Sequence, residues 1–204
     1  MKRILFAAVA MFVAVSVNAQ VKSIGVAGHF MSDARITVKH DDYGRLYGNT
    51  YQPLIGGSVS YEGNMGGAGS MFEVTYMTGK LYDMKTGEYY ISSWEEKGFH
   101  DLKYVSAFYY YGITFLSGKR FQIPVYFGLG LNFNSADPIR NTAWALGAKA
   151  RARFYITDNI ALFGGAGWKG GLGVQTVEEK SRVTLDITQR FLYLEAGISV
   201  SLGM

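Results

Sequence analysis

The stretch Arg120–Asn134, RFQIPVYFGLGLNFN, decides the fold because apolar and polar residues alternate through it. Its apolar positions are Phe121, Ile123, Val125, Phe127, Leu129, Leu131 and Phe133. Strict period two indicates a β-strand with one apolar face. That face has the length that a tilted strand needs to cross a bilayer, roughly 9 to 11 residues, and aromatic rings lie at both of its ends. The stretch therefore predicts a membrane-spanning strand of a β-barrel.

The opposite face of this stretch favours a narrow barrel interior over a wet surface. It carries glycines, amides and a tyrosine where a soluble sheet would carry charged residues, and small residues suit a narrow lumen. Pro124 has no N–H to donate to a neighbouring strand, and a closed barrel has no edge strand. We therefore expect a local bulge or an unpaired carbonyl near the inner rim.

The N-terminus has the pattern of a secretory signal peptide. Residues 1–19 read MKRILFAAVAMFVAVSVNA, with Lys2 and Arg3 before an apolar run and a small-residue cleavage site at its end. A membrane anchor is the weaker interpretation because the apolar run is short for a spanning helix. The mature chain is expected to begin at Gln20 and to form one domain, residues 20–204. The sequence has no cysteine, which excludes disulfides and lipid attachment at the cleavage site.

Charge and hydropathy narrow the class of protein further. Without Lys2 and Arg3, 18 basic and 16 acidic residues leave a net charge of +2, which does not indicate a nucleic-acid partner. After the signal, the sequence has no apolar run of the roughly 18 residues that a transmembrane helix needs. An exported chain with apolar strand faces and no membrane helix is typical of the cell outer membrane of a Gram-negative bacterium.

Alternation along the whole chain predicts eight strands. They cover about residues 22–30, 53–62, 69–78, 103–115, 120–134, 142–156, 160–172 and 190–203. Long polar connections at 31–52, 79–102 and 173–189 and a shorter one at 134–141 alternate with tight turns at 63–67, 117–119 and 157–159. This rhythm predicts an all-β fold, an eight-stranded antiparallel up-and-down transmembrane β-barrel with long loops outside and short turns in the periplasm.

Aromatic residues fall at the two ends of these strands, as expected for two membrane-interface girdles. The outer set is Phe30, Tyr76, Phe133, Trp144 and Trp168, and the inner set is Tyr61, Phe115, Phe121 and Phe154.

These features together resemble the small outer-membrane β-barrel domain family, which includes the OmpA-like and OmpX-like barrels. The resemblance rests on the signal, the eight alternating strands, the glycine-rich lumen positions and short turns such as Ser117-Gly118-Lys119 and Thr157-Asp158-Asn159. It covers the whole mature chain as a pattern of period and spacing. The resemblance implies an integral barrel in contact with outer-membrane lipid and lipopolysaccharide.

Charged residues on the lumen face form the candidate site, a lumen polar network. Four cations face three carboxylates, and the set is Lys149, Arg151, Arg153, Lys169, Glu62, Glu73 and Glu195. An eight-stranded barrel has room only for side chains, and unpaired charges there would be costly. A salt-bridged plug is the favoured interpretation. The alternative is a narrow anion-preferring pore around Arg151 and Arg153.

Signals for catalysis and for a cofactor are weak. His29, His40 and His100 map to the outer side, and Ser32, Ser92 and Ser93 lie in the same loops, but no spacing defines a triad. These histidines lack the paired spacing of a metal site. The run Gly164-Gly165-Ala166-Gly167 lacks the Gly-Lys-Ser/Thr ending of a phosphate-binding loop. The sequence therefore predicts no catalytic residue, cofactor or metal.

The resulting expectation is a non-enzymatic monomer with structural, adhesion or partner-binding roles, whose outer loops contact lipopolysaccharide, a surface ligand or an envelope protein. Aromatic residues suited to such contacts are Tyr43, Tyr47, Tyr89, Tyr90 and Trp94. Two other classes stay open: an outer-leaflet enzyme that modifies lipid A or phospholipid, and a soluble barrel that binds an apolar ligand.

Overall fold

The computed structural model describes residues 21–40, 44–49, 53–65, 67–82, 99–118, 120–136, 139–177 and 183–202. The predicted signal peptide, Ser92, Ser93 and most of the proposed loop aromatics lie outside these ranges. In the described part of the chain, no helix is long and apolar enough to cross a membrane.

The chain forms a closed antiparallel barrel. Its strands are β1 (Val21–His40), β2 (Gly44–Asn49), β3 (Leu54–Met65), β4 (Ala68–Tyr82), β5 (Phe99–Ser117), β6 (Phe121–Ala136), β7 (Ile139–Tyr155), β8 (Ile160–Val177) and β9 (Val183–Leu202). From β3 to β9, each strand pairs with its neighbour in sequence, and β1 pairs with β3 and β9 to close the ring. The all-β, up-and-down barrel predicted from the sequence is confirmed.

The described residues form nine strands, one more than predicted, although the wall has eight positions. β2 lies opposite Arg35–His40 of β1, and β3 lies opposite Val21–Met31 of the same strand. The two strands therefore occupy one barrel position in succession. The short β2 was predicted as part of a loop.

The predicted long loops are shorter in the structure because the strands continue through much of them. β1 and β9 remain paired as far as His40 and Leu185, and β8 and β9 pair as far as Val177 and Val183. The loop assignments at 31–52, 134–141 and 173–189 are therefore corrected to strand for much of their length, and that at 79–102 is corrected at its two ends, 79–82 and 99–102. Alternation of apolar and polar residues continues into residues 34–39 of β1 and 183–188 of β9 but not into residues 173–177 of β8.

The two faces of the wall differ as the alternation predicts. Large apolar side chains face outward, with Leu129 at 63%, Leu146 at 56% and Trp144 at 75% exposure. The alternate positions face inward and are buried, including charged ones such as Arg151. An apolar exterior around a polar interior is the arrangement of a membrane-spanning barrel.

Pro124 lies beside a bulge, which confirms the irregularity expected there. Thr114 pairs with Pro124 and Leu116 pairs with Ile123, so Phe115 is an extra residue in β5. A second shift, between Met31 and Asp33 where β1 pairs with β9, was not predicted.

Inward-facing glycines leave room for aromatic rings in the narrow interior. A Cβ at Gly130 would lie 2.4 Å from the carbonyl oxygen of Ala107 and 2.6 Å from Cγ of Phe108. Phe108 is fully buried and stacks on Tyr110 at a centroid separation of 5.3 Å. At this position the wall takes a glycine because the neighbouring backbone and the ring occupy the space that a side chain would need.

Candidate functional site: the charged interior of the barrel

The structure places all seven candidate residues of the lumen polar network in the barrel interior. They come from five strands: Glu62 from β3, Glu73 from β4, the group Lys149, Arg151 and Arg153 from β7, and the pair Lys169 and Glu195 from β8 and β9. The three β7 residues are two positions apart and therefore share one face. All seven are at most 6% exposed.

Glu73 is the acceptor for three cations. It forms an ion pair with Lys149, and it accepts from Nη2 of Arg151 at 3.1 Å and from Nζ of Lys169 at 3.3 Å. Its side chain has no exposed surface. A carboxylate at this depth requires such partners, because an unpaired buried charge is costly.

Glu195 is held by the guanidinium group of Arg151 through two hydrogen bonds. Nε of Arg151 donates to Oε1 at 2.5 Å, and Nη2 donates to Oε2 at 3.1 Å. Lys149 adds a longer contact at 3.4 Å. The planar fork of arginine matches a carboxylate in this two-point geometry, which fixes the orientation of both groups.

Glu62 and Arg153 form a separate pair nearer the inner end of the barrel. Nη2 of Arg153 donates to Oε2 of Glu62 at 2.5 Å. The hydroxyl of Tyr126 donates to Oε1 at 2.5 Å. Both carboxylate oxygens of Glu62 are therefore hydrogen-bonded.

Aromatic rings surround the cations of the network. Nζ of Lys149 lies 5.0 Å from the ring centre of Tyr110, and the guanidinium carbon of Arg151 lies 4.4 Å from that of Phe163. Lys169 contacts the rings of Phe108 at 4.8 Å and Tyr193 at 5.2 Å. Such cation–π contacts are stronger when the cation is desolvated, so the rings add to the stabilisation given by the carboxylates.

Lys169 also donates to two hydroxyl groups, those of Thr75 at 3.1 Å and Ser106 at 3.0 Å. These neutral acceptors come from β4 and β5. Lys169, on β8, thus ties together strands on opposite parts of the wall.

His29 belongs to this interior, and the sequence analysis left it out of the network. Its Nε2 lies 2.7 Å from Oγ of Ser58 and 3.6 Å from Oε2 of Glu195, and its ring packs against Tyr193. The sequence analysis assigned His29 only to the outer side of the barrel and did not count it among the lumen residues, whereas its side chain lies in the barrel interior. Its position on the inward face of β1 was the available signal.

Ser58, His29 and Glu195 carry the residue types of a nucleophilic triad but not its geometry. Ser58 and Glu195 both approach the same atom, Nε2 of His29, whereas a triad uses one ring nitrogen for the serine and the other for the acid. All three residues are at most 5% exposed. The arrangement gives a substrate no access to the serine.

The same histidine and two glutamates have the donor types of a metal site. Donor atoms of His29, Glu73 and Glu195 lie within 4.8 Å of one another. Lys149 and Arg151 already contact both carboxylates, and a divalent cation would have to be placed beside these positive charges. The donor set therefore does not fit a metal ion.

Apolar residues close the interior on the outer side of the network. Met31, Leu54, Met77 and Leu102 are at most 1% exposed. Tyr104 and Phe191 meet edge to face beside them, at a centroid separation of 4.8 Å. The charged groups therefore have little contact with solvent from this side.

The other residues considered for chemistry are not brought to this site. His40 lies at the outer end of β1, and His100 is the second residue of β5. Ser92 and Ser93 lie outside the described residues.

Comparison with solved structures identifies the fold. The chain is similar to the outer membrane protein OprG from Pseudomonas aeruginosa, with 11% identity, a TM-score of 0.62 and coverage of 91% of this chain and 97% of that one. It is also similar to a major outer membrane protein from Thermus thermophilus, at 14% identity, a TM-score of 0.53 and coverage of 88% and 99%. Neisserial surface protein A matches at 16% identity, a TM-score of 0.50 and coverage of 87% and 96%.

No protein-family model matches the sequence, and no curated protein does. At these identities the structural matches establish a shared fold. The apolar exterior and the fold together make the chain an outer-membrane β-barrel, as the sequence predicts.

Proposed function

We propose that this protein is a monomeric, non-enzymatic outer-membrane barrel whose interior is a structural plug and whose outer strand extensions bind at the cell surface. The observation that supports this most directly is the closed interior. Arg151 is 1% exposed and contacts two carboxylates. A buried residue with these ion pairs stabilises the wall and is not accessible to a solute in the lumen.

The alternative of a narrow anion-preferring pore around Arg151 and Arg153 is disfavoured by the same contacts. A conducting lumen needs sites that bind an ion weakly enough to release it. The guanidinium group of Arg151 forms ion pairs with Glu195 and Glu73, and that of Arg153 forms an ion pair with Glu62. An anion would have to displace these glutamates.

The strand extensions are the part of the molecule best placed for binding. β1 and β9 continue together for ten residues beyond the exposed Phe30, to His40. At about 3.3 Å per residue, this adds roughly 33 Å of paired strand. A sheet of this size outside the membrane supplies a surface for lipopolysaccharide, a surface ligand or an envelope protein.

Planar-bilayer recording tests the closed interior. The purified, folded protein is expected to give no conductance steps in salt solution. A Phe108→Ala variant, which removes a ring that packs within the interior, serves as a comparison for partial opening. Reproducible steps from the unaltered protein would contradict the plug and favour the pore.

Lipid analysis tests the absence of enzymatic activity. Overexpression of the protein is expected to leave the lipid A and phospholipid profiles of the cell unchanged. A modified lipid that appears with the protein and disappears with His100→Ala would favour the outer-leaflet enzyme.

A further inference from the structure

The membrane-facing wall has an apolar depression on strands β5 to β8. It has a volume of about 630 Å³, and its floor includes the backbone of Gly128 and Gly147 and the side chain of Ala148. Larger residues, among them Tyr111, Phe127 and Trp168, line the rest of it. These features define the wall groove.

The groove arises from the order of large and small residues across neighbouring strands. Phe127 pairs with Ala148, and Ala148 pairs with Trp168, so a methyl group lies between two aromatic rings in one row. The ring of Trp168 lies against the backbone position of Gly170. The wall groove therefore lies over Ala148, and both its floor and its sides are apolar.

The height of the groove places it within the hydrocarbon band. Along β6, Phe127 lies six residues beyond Phe121 of the inner girdle and four before Leu131, the partner of Trp144 in the outer girdle. The groove continues outward from Phe127 to Leu129 and Leu146. Its surroundings are therefore acyl chains, mainly those of the outer leaflet.

The size of the groove favours a chain-like occupant over a second barrel. Nine residues line it, whereas a stable protein interface takes about 20 to 30 residues from each partner. The projecting rings of Phe127 and Trp168 would also hold a second wall away from the floor. Inside a membrane, association depends on close packing, and a single acyl chain can contact the floor and both sides.

We propose that the wall groove binds one acyl chain of an outer-leaflet lipid. The proposal rests on the membrane location given under the proposed function. It makes the wall over Ala148 a site for a single chain, whereas an exposed side chain such as Trp144 contacts several.

Quenching of tryptophan fluorescence by brominated lipid tests the groove. The sequence has three tryptophans, so Trp94→Phe with Trp144→Phe leaves only Trp168, and Trp94→Phe with Trp168→Phe leaves only Trp144. Each variant is reconstituted in phosphatidylcholine vesicles with rising fractions of chains brominated at mid-length. The measured quantity is the bromolipid fraction at half-maximal quenching, which is insensitive to differences in absolute quenching depth.

Trp168 is expected to reach half-maximal quenching at a higher bromolipid fraction than Trp144, because one chain held in the groove is brominated only in proportion to the bulk fraction, whereas the exposed Trp144 is quenched by any of several neighbouring chains. Ala148→Leu in the Trp168 variant fills the floor and is expected to abolish the difference. Ala152→Leu is the matched control, since Ala152 lies on the same strand and face but outside the groove.

Equal half-maximal fractions at Trp168 and Trp144 would overturn the groove alone, and this comparison does not depend on the folding of the Ala148 variant. Loss of the difference between the two tryptophans in Ala152→Leu as well as in Ala148→Leu would also overturn the groove. Absence of quenching at both tryptophans would contradict the membrane location itself, and the two failures are therefore distinct.

Discussion

Lys149 and Glu73 form an ion pair across the barrel interior although 76 positions separate them in the sequence. Neither side chain has any exposed surface. One residue comes from β7 and the other from β4, so the pair forms only when the barrel has closed. Arg151, Lys169 and Glu195 contact one or both members of this pair. The interior charges therefore link strands that are not neighbours in the wall.

Replacing Glu73 with glutamine is expected to destabilise the barrel strongly. The change leaves Lys149, Arg151 and Lys169 without a shared counter-charge in a buried site, and breaking a buried pair from one side costs about 3 to 5 kcal/mol. Urea unfolding of the protein in detergent micelles measures the effect.

Asp158→Asn is the control for this substitution, because Asp158 lies in an exposed turn. It is expected to change the free energy of unfolding by about 0.5 kcal/mol or less. Equal stability of Glu73→Gln and Asp158→Asn would show that the interior charges do not stabilise the fold.

The pair of Glu62 and Arg153 is expected to be strongly coupled. Glu62→Leu and Arg153→Met should each be costly because each leaves a buried partner unpaired, whereas the double variant should recover much of the loss. A double-mutant cycle by the same unfolding measurement gives the coupling energy. Additive effects of the two substitutions would contradict the pairing.

Gly130→Ala is expected to destabilise the wall by about 1 to 3 kcal/mol, because the added methyl group overlaps both the carbonyl oxygen of Ala107 and the buried ring of Phe108. Gly28→Ala is the matched control, since the nearest atom to a Cβ there is the carbonyl oxygen of Ala196 at 3.9 Å. The control is expected to be neutral or slightly stabilising. If both variants lost the same stability, crowding by the neighbouring backbone and ring would not be what requires glycine at Gly130.

Removal of the signal peptide is expected to leave a chain that begins at Gln20. The small residues Val17 and Ala19 flank Asn18 at the cleavage site. Intact-mass measurement of protein purified from envelopes tests this. A mass that includes residues 1–19 would favour the membrane-anchor interpretation.

The sequence predicts the membrane-spanning part of the fold well, because lipid on one side and a polar interior on the other impose period two on each strand. The same reasoning fails where the strands leave the membrane. Residues 173–177 of β8 are paired with β9, but their sequence has no regular alternation to distinguish strand from loop. The extra strand β2 was missed for the same reason. Residues 183–188 of β9 do alternate, with Val183, Leu185 and Ile187 as the apolar positions, and this signal was available in the sequence.

Alternation predicts that the charged residues point inward, but it does not predict which residues pair with one another. Whether Glu73 meets Lys149 or Arg153 depends on the register of each strand pair from β4 to β7 and on closure of the ring. His29 shows a different omission. It lies on the inward face of β1, and a count of every titratable residue on inward faces would have included it.

Fractionation followed by heat-modifiable gel mobility tests the central claim, an outer-membrane barrel, most directly. The protein is expected in the outer-membrane fraction, where the unboiled sample migrates as a compact species and the boiled sample as the unfolded chain. A soluble protein with the same mobility before and after boiling would contradict the account. The apolar faces would then have to point inward around a core or an apolar ligand.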